Sequence, residues 1–353
     1  MSTRPRRTIP LDGEWHFVRD PLRQMDAADL PDGEPITVPG CWESQVANPF
    51  GIVHAWYWRD IDIPASWPYG GEPVIRFDAV MYRCDVWLNG ARLGVHEGGY
   101  SPFEIALPDL GRDGANRLAL LVTNPMNAIE EYPALSDARL ERAESRVPEL
   151  PIREIPHGKQ TWYASQSGPW RSVELEWRPR RRIDRLRAAA ELATGAVNVR
   201  VQTSGADGGE IELIVLGPAG GEVARASVAA GPIAAAMLNV GEPQAWDMET
   251  PILYRLMARL RLGETLLDEV VVRFGFREIR TEAGRIVLNN RPILLRGALD
   301  QDLFAETVST PPDRAFLDRQ LRAAKAMGLN LLRCHIKMPD PAYLDAADEA
   351  GML

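Results

Sequence analysis

The sequence predicts a mainly β chain: two β-sandwiches in series, then the start of a parallel strand–helix repeat. Three observations carry that expectation. Residues 84–107 hold three short antiparallel strands around an Asn-Gly turn. Residues 183–277 alternate apolar and polar side chains in short runs separated by glycine and proline turns. After Pro292 the apolar period lengthens, and the order becomes strand, helix, strand, helix.

The organising stretch is CDVWLNGARLGVHEGGYSPFEIAL, residues 84–107. Cys84, Val86 and Leu88 alternate with Asp85 and Trp87, a period of two. Asn89-Gly90 supplies the hairpin, because a type I′ turn needs positive φ at both central residues. Ala91, Leu93 and Val95 alternate again. Gly98-Gly99 breaks the run, and residues 103–107 read as a third strand. Upstream, residues 11–18 and 55–63 read as strands, with Val38 to Glu43 as a turn into a loop. Trp56, Tyr57 and Trp58 have the chemistry of a sugar-stacking platform, although core packing is their favoured role. Residues 74–77, 117–122 and 172–177 are further strands of the first sandwich. Residues 123–160 carry Pro125, Pro133, Pro148, Pro151 and Pro156 and no β-period. A loop that long inside a compact domain is functional or disordered; residues 137–146 read as a helix within it.

Arg178 and Arg180 to Arg182 form a basic knot, read as a solvated domain junction. The strands beyond it are 197–203, 210–215, 222–228, 234–240, 254–262 and 266–275. Seven or so short strands in about 100 residues describe an immunoglobulin-like sandwich. Residues 286–288 and 292–296 form a hairpin about Asn289-Asn290. Residues 294–297 read as a buried strand ending in a polar loop. Thr310-Pro311-Pro312-Asp313 reads as a helix start capped by Thr310. Phe316, Leu317, Leu321, Ala324 and Met327 share one face of that helix, which ends at Gly328. Residues 329–334 and 341–351 are the next buried strand and helix.

The 353 residues suggest two or three domains. A composition of 45% apolar and 25% charged residues is ordinary for a soluble globular protein. The net charge is −9 and no lysine or arginine cluster forms a coherent basic face, so no nucleic-acid partner is expected. Cys41, Cys84 and Cys334 are odd in number and widely spaced, which fits neither a disulfide framework nor a metal site. The basic N-terminus has no apolar core and is not read as a secretory signal. No apolar run approaches the ~18 residues of a membrane span. The expectation is a soluble cytoplasmic protein without cofactor or metal.

Several motifs carry a family resemblance. VWLNGARLGVHEGGYSPFEIAL, the opening LDGEWHF and VPGCWE, and the closing GKQTWY and SGPWRSV together resemble the sugar-binding jelly-roll domain of glycoside hydrolase family 2. That is the β-galactosidase and β-glucuronidase family. Trp246 with PILY, and RFGFR at 273–277, resemble its second domain and have structural roles. The strand–helix repeat resembles the opening quarter of its (β/α)8 TIM barrel. The resemblance thus implies a jelly roll over 1–177, an immunoglobulin-like sandwich over 178–277 and two βα units over 278–353. It implies retaining hydrolysis of a β-galactoside or β-glucuronide, with a mannosidase equally compatible. It also leaves room for a homo-oligomer in a full-length parent.

In such barrels the active site lies at the C-terminal strand ends. That makes Asp300 and Gln301, then Arg333, His335 and Lys337, the substrate-binding candidates. Their hydrogen bonds to sugar hydroxyls are directional, and charge strengthens them. His335 is best placed; Asp300 has a rival role as a cap or structural partner of Arg333. In the resemblance, jelly-roll loops reach the barrel mouth, which adds Lys159, Gln160, Trp162 and Tyr163. Trp162 and Tyr163 either stack on a sugar or anchor the loop. A retaining glycosidase needs two carboxylates about 5–5.5 Å apart. In the family both are glutamates on later strands, the acid following an asparagine. No Asn-Glu dipeptide occurs here, and only 76 residues follow Arg277, against about 250 for a whole barrel. No catalytic residue is therefore expected, and the chain should be inactive alone. Asp302 and Glu306 lie near the site edge without an assigned role. The rival reading is a non-catalytic carbohydrate-binding module.

Overall fold

The computed structural model describes residues 6–64, 67, 70–107, 116–128, 137–156 and 165–353. The first sandwich comprises β1 (Arg7–Pro10), β2 (Gly13–Arg19), β3 (Glu34–Val38), β4 (His54–Ile61) and β5 (Glu72–Phe77). It continues with β6 (Arg83–Leu88), β7 (Ala91–Glu97), β8 (Phe103–Ala106), β9 (Asn116–Thr123), helix α1 (Asp137–Arg146) and β10 (Val173–Arg178). One sheet has the order β3-β2-β4-β9-β6-β7 and the other β1-β10-β5-β8. Trp15, Phe17, Tyr57, Ile75, Phe77, Val86 and Leu120 fill the space between them.

The Asn-Gly turn behaves as its chemistry requires: Asn89 has φ 51° and Gly90 φ 81°. The third strand of the stretch does not extend that hairpin. β8 pairs with β5 in the opposite sheet. Gly98, at φ 131°, and Gly99 make the crossing. A Cβ on Gly99 would lie 1.9 Å from Met81 Sδ, so only glycine passes there. Trp56, Tyr57 and Trp58 are all buried, as their core role requires. Tyr57 faces the space between the sheets, while Trp56 and Trp58 lie under Ala27 and Leu30. The proline-rich segment is partly ordered by α1, within the expected bounds. Ala143, Val147, Leu150, Ile152 and Ile155 pack with Cys41, Met81, Tyr82 and Trp170 as a second core.

The next sandwich pairs β11 (Arg182–Ala190), β12 (Ala196–Ser204) and β15 (Ile233–Asn239) in one sheet. The other has the order β14 (Glu222–Ala229), β13 (Glu210–Leu216), β16 (Tyr254–Leu262), β17 (Thr265–Phe274). β11 was hidden from period counting by a bulge between Ile183 and Arg185, which lets Ile183 and Leu186, three apart, both reach the core. The basic knot is a clasp between the sandwiches. Arg182 Nη1 lies 2.7 Å from Glu72, and Arg178 bridges Glu104 and Glu176. Arg6 donates through Nε to Asp268 Oδ1 at 2.9 Å, and Asp268 also accepts from Ile183 N.

The last part contains the hairpins of β18 (Ile279–Glu282), β19 (Arg285–Leu288) and β20 (Arg291–Ile293), then β21 (Gly297–Asp300), α2 (Arg314–Ala326), β22 (Leu331–Cys334) and α3 (Pro341–Ala350). β21 and β22 are parallel. Three expectations are corrected here. Residues 329–334 are not a buried strand: β22 holds Leu331, Leu332 and Cys334 half-buried and Arg333 exposed, because it has only β21 beside it among the described strands. Residues 294–297 are not a buried strand: Leu294 is 74% exposed and the strand begins at Gly297. Asn330 displaces it, since its side chain accepts from Arg296 N and donates to Leu294 O. The α2 cap is Asp313, whose carboxylate accepts from Phe316 N. Thr310 instead donates to Trp170 O.

Asp268 is fully buried and serves two sandwiches at once. Asp268→Ala leaves Arg6 its pair with Glu176 but removes the acceptor of Ile183 N, and should cost about 1–3 kcal/mol. Urea unfolding followed by tryptophan fluorescence measures it; a loss below about 1 kcal/mol would make the clasp a surface pair.

Candidate functional site

Parallel pairing sets Asp300 opposite Cys334, so the C-terminal ends of β21 and β22 lie together. His335 N donates to Asp300 O at 2.8 Å. The Asp300 carboxylate is fully engaged within its own unit. It accepts from Asp302 N, from Gln320 Nε2 at 2.8 Å and from Tyr343 Oη at 2.7 Å. Burial, reinforced by Asp300, raises the Tyr343 hydroxyl far above its ordinary range. Asp300 therefore ties the strand end to α2 and α3. Its partner is not Arg333, which is exposed. Gln301 and His335 are half-buried beside it, and Gln301 Oε1 has no donor among the described residues.

Lys337 belongs to a second cluster, at the seam with the first sandwich. It is buried, with Nζ 3.3 Å from Asp302 Oδ2, donating to Ser309 O and lying 4.8 Å from the Trp170 ring centre. Burial pushes Asp302 up to about 6 and Lys337 down, so desolvation outweighs their attraction on both sides. Arg171 reaches the same seam: its guanidinium sits 4.2 Å from the Trp170 ring centre and donates to Tyr100 O and Met338 O. Glu43 Oε1 accepts from Ser167 Oγ at 2.5 Å and Oε2 from Ser167 N at 2.9 Å. Burial drives its carboxyl up to about 8. Burial likewise holds the Cys41 thiol at about 12, unreactive near neutrality.

The strands thus bring Asp300, Gln301, Arg333 and His335 to one end and turn Lys337 into the seam. Lys159, Gln160, Trp162 and Tyr163 lie outside the described residues. Sequence reasoning missed Glu43, Arg171 and Asp302 as members of the seam. Trp170-Arg171 sat inside a recognised closing motif, but nothing local indicated its partners.

Two family models match the chain. Glycosyl hydrolases family 2, sugar binding domain, covers residues 9–175, and glycosyl hydrolases family 2 covers 182–277. The chain belongs to glycosyl hydrolases family 2. A β-galactosidase of Aeromonas hydrophila is 27% identical over 401 aligned positions, covering 99% of this chain and 36% of that protein. The β-glucuronidase of Ruminococcus gnavus in complex with D-glucuronic acid superposes with a TM-score of 0.81 at 21% identity, over 100% of this chain and 60% of its own. Its complex with uronic isofagomine gives 0.81 at 20% identity and 58% of that chain. This likeness is one of fold. The family 2 chain described here spans only part of the length of each relative.

Asp300→Ala should lower stability by about 1–3 kcal/mol, since it leaves Tyr343 without its acceptor. Arg333→Ala should stay within about 0.5 kcal/mol. Thermal unfolding of the two variants separates scaffold from surface. Glu43 makes a pH prediction. Its folded value lies near 8, above the ordinary 4.5, so the folded state holds a proton that the unfolded chain releases. Its contribution is greatest below 4.5 and is lost as pH rises through about 8. Asp302 acts in the same direction up to about 6. Urea midpoints should fall between pH 5 and 8 and fall less in Glu43→Gln.

Proposed function

We propose that this chain forms the substrate-shaping and opening barrel part of a retaining β-glycosidase acting on a β-galactoside or β-glucuronide. Residues 1–177, 178–277 and 278–353 are its jelly-roll, immunoglobulin-like and first barrel units. The observation that carries the reading is the parallel β21–α2–β22 unit, docked against a family 2 sugar-binding domain with polar side chains at its strand ends. Leu294, Leu299, Ile336 and Met338 are exposed. Apolar patches of that kind mark surfaces that another element covers, which fits further barrel strands. Gln301, Arg333 and His335 supply directional bonds to sugar hydroxyls at the barrel mouth, and Asp300 positions them. Lys337 acts through the seam rather than on the sugar. The family resemblance adds Lys159, Gln160, Trp162 and Tyr163 as further substrate contacts.

General-acid and nucleophilic carboxylates must flank the scissile bond. The 353 residues contain no Asn-Glu dipeptide, and Asp300 and Asp302 are committed to internal partners. The chain alone therefore binds without cleaving. General acid catalysis by itself is worth about 10²–10⁴-fold. The purified chain should not turn over nitrophenyl β-galactoside or β-glucuronide above buffer; turnover abolished by a substitution within it overturns this reading. In a protein extended through a complete barrel, His335→Ala should lower kcat with Tm unchanged. Early melting with parental kinetics in the folded fraction would make His335 scaffold.

A further inference from the structure

The second sandwich carries a cleft of about 440 Å³ on the outer side of β11 and β12, where they meet Val272 and Arg273 of β17. It shares no residue with the strand-end cluster or the seam. A cleft of that size suits a small ligand. Its lining follows from the alternation along the two strands. Leu186, Val197, Val199 and Val201 belong to the sandwich core, so Arg187, Asn198 and Arg200 point out. All three are exposed. Arg187 lies directly opposite Arg200 in the antiparallel register, and Asn198 lies opposite Ala189. Facing residues hold their Cβ atoms about 4.5–5.5 Å apart, and like charges so placed destabilise a sheet.

This pair has no counter-charge. Neither Arg187 nor Arg200 has an ion pair or a side-chain hydrogen bond among the described residues. No carboxylate lines the cleft. Arg273, at its rim, is already held by Asp345 and Glu349 on α3. The opposite sheet of the same sandwich is arranged differently. There Glu212 pairs with Arg225, Arg259 and Arg261, and Glu269 pairs with Arg259. One outer face therefore sets carboxylates between its arginines, and the other leaves them out, in a chain of net charge −9. The planar fork of arginine matches the oxygens of a bound oxyanion bidentately.

We propose that this cleft binds a phosphate group, free or on a small organic molecule, between Arg187 and Arg200 with Asn198 as a neutral donor. A phosphate monoester carries close to two charges and three acceptor oxygens near neutral pH, against one charge and two oxygens for a carboxylate. It neutralises both arginines, which makes it the better fit to a facing pair. Ala188, Ala189 and Val272 leave apolar surface for an organic part. The site takes no part in glycoside cleavage, so its failure and the failure of the glycosidase reading are separate results.

The test titrates the full chain with inorganic phosphate, phenyl phosphate and benzoate at fixed ionic strength, read by isothermal calorimetry and thermal unfolding. Both phosphates should bind and raise Tm. Tighter binding of phenyl phosphate identifies an organic phosphate as the ligand, and equal binding identifies the free ion. Arg187→Gln and Arg200→Gln should each weaken binding about tenfold or more, the scale of one charge-assisted bond. Arg185→Gln, the next exposed arginine of β11 but outside the cleft lining, should bind as the parent does. Arg200→Glu should abolish binding while its new pairing with Arg187 holds or raises Tm without ligand, which verifies the fold. Four outcomes overturn the proposal. They are no phosphate binding below ~10 mM, benzoate binding as tightly as phenyl phosphate, Arg185→Gln losing as much affinity as Arg187→Gln, and loss of binding in a protein extended through a complete barrel.

Discussion

Trp170 is the residue on which the arrangement of the candidate site depends. Its ring is wholly buried and sits between two cations, Arg171 and Lys337. Its Nε1 donates to Gly99 O and its own carbonyl accepts from Thr310. One residue therefore touches the glycine crossing of the first sandwich through its indole and the loop that leads into α2 through its carbonyl. Cation–π contacts of this kind gain strength when desolvated, to about 2 kcal/mol. The same desolvation is what pushes Asp302 and Lys337 toward their neutral forms. The Lys337 contact with the ring, like its pair with Asp302, needs the charged ammonium, so the ring's contact with the Arg171 guanidinium is the more secure of the two.

The second sandwich holds the last part by a different kind of contact. Trp246 Nε1 donates to Asp348 O, and the Arg277 guanidinium covers its ring at 4.9 Å. Arg273 pairs with Asp345 and Glu349 on α3. Lys325 donates to Met248 O and Ala350 O. So the motifs around Trp246 and 273–277, structural by resemblance, also fasten α3 to the sandwich. The strand ends of β21 and β22 are located by contacts from both preceding units. A binding cluster must be placed to within fractions of an ångström, and two independent anchors do this better than one flexible tether.

What the sequence made legible was local. The Asn89-Gly90 turn, the Gly328 helix end, Pro341 at a helix start and the period-two runs each follow from a few neighbouring residues. What it hid was long-range or irregular. The bulge at Ile183 broke the alternation that would have marked β11. The Asn330 amide, 36 residues from Leu294, moved the expected strand. The seam joins Arg171 to Met338 across 167 positions and Gln166 to Ser309 across 143. No periodicity reports a contact of that span. Of the named site residues, position after a parallel strand identified the cluster around Asp300, but not that its carboxylate was already taken by Tyr343 and Gln320.

The two faces of β6 show how one alternating strand serves two packed clusters at once. Its inward residues Cys84, Val86 and Leu88 are almost wholly buried and help close the first sandwich. Its outward residues carry a salt-bridged carboxylate and an indole that packs on the cluster of Trp56, Trp58 and Leu121. Burying Asp85 costs desolvation, and the guanidinium groups of Arg83 on the same strand and Arg92 on β7 outweigh that cost. One face of β6 thus closes the first sandwich, and the other joins the outer cluster while its carboxylate ties β6 to Arg92 on β7.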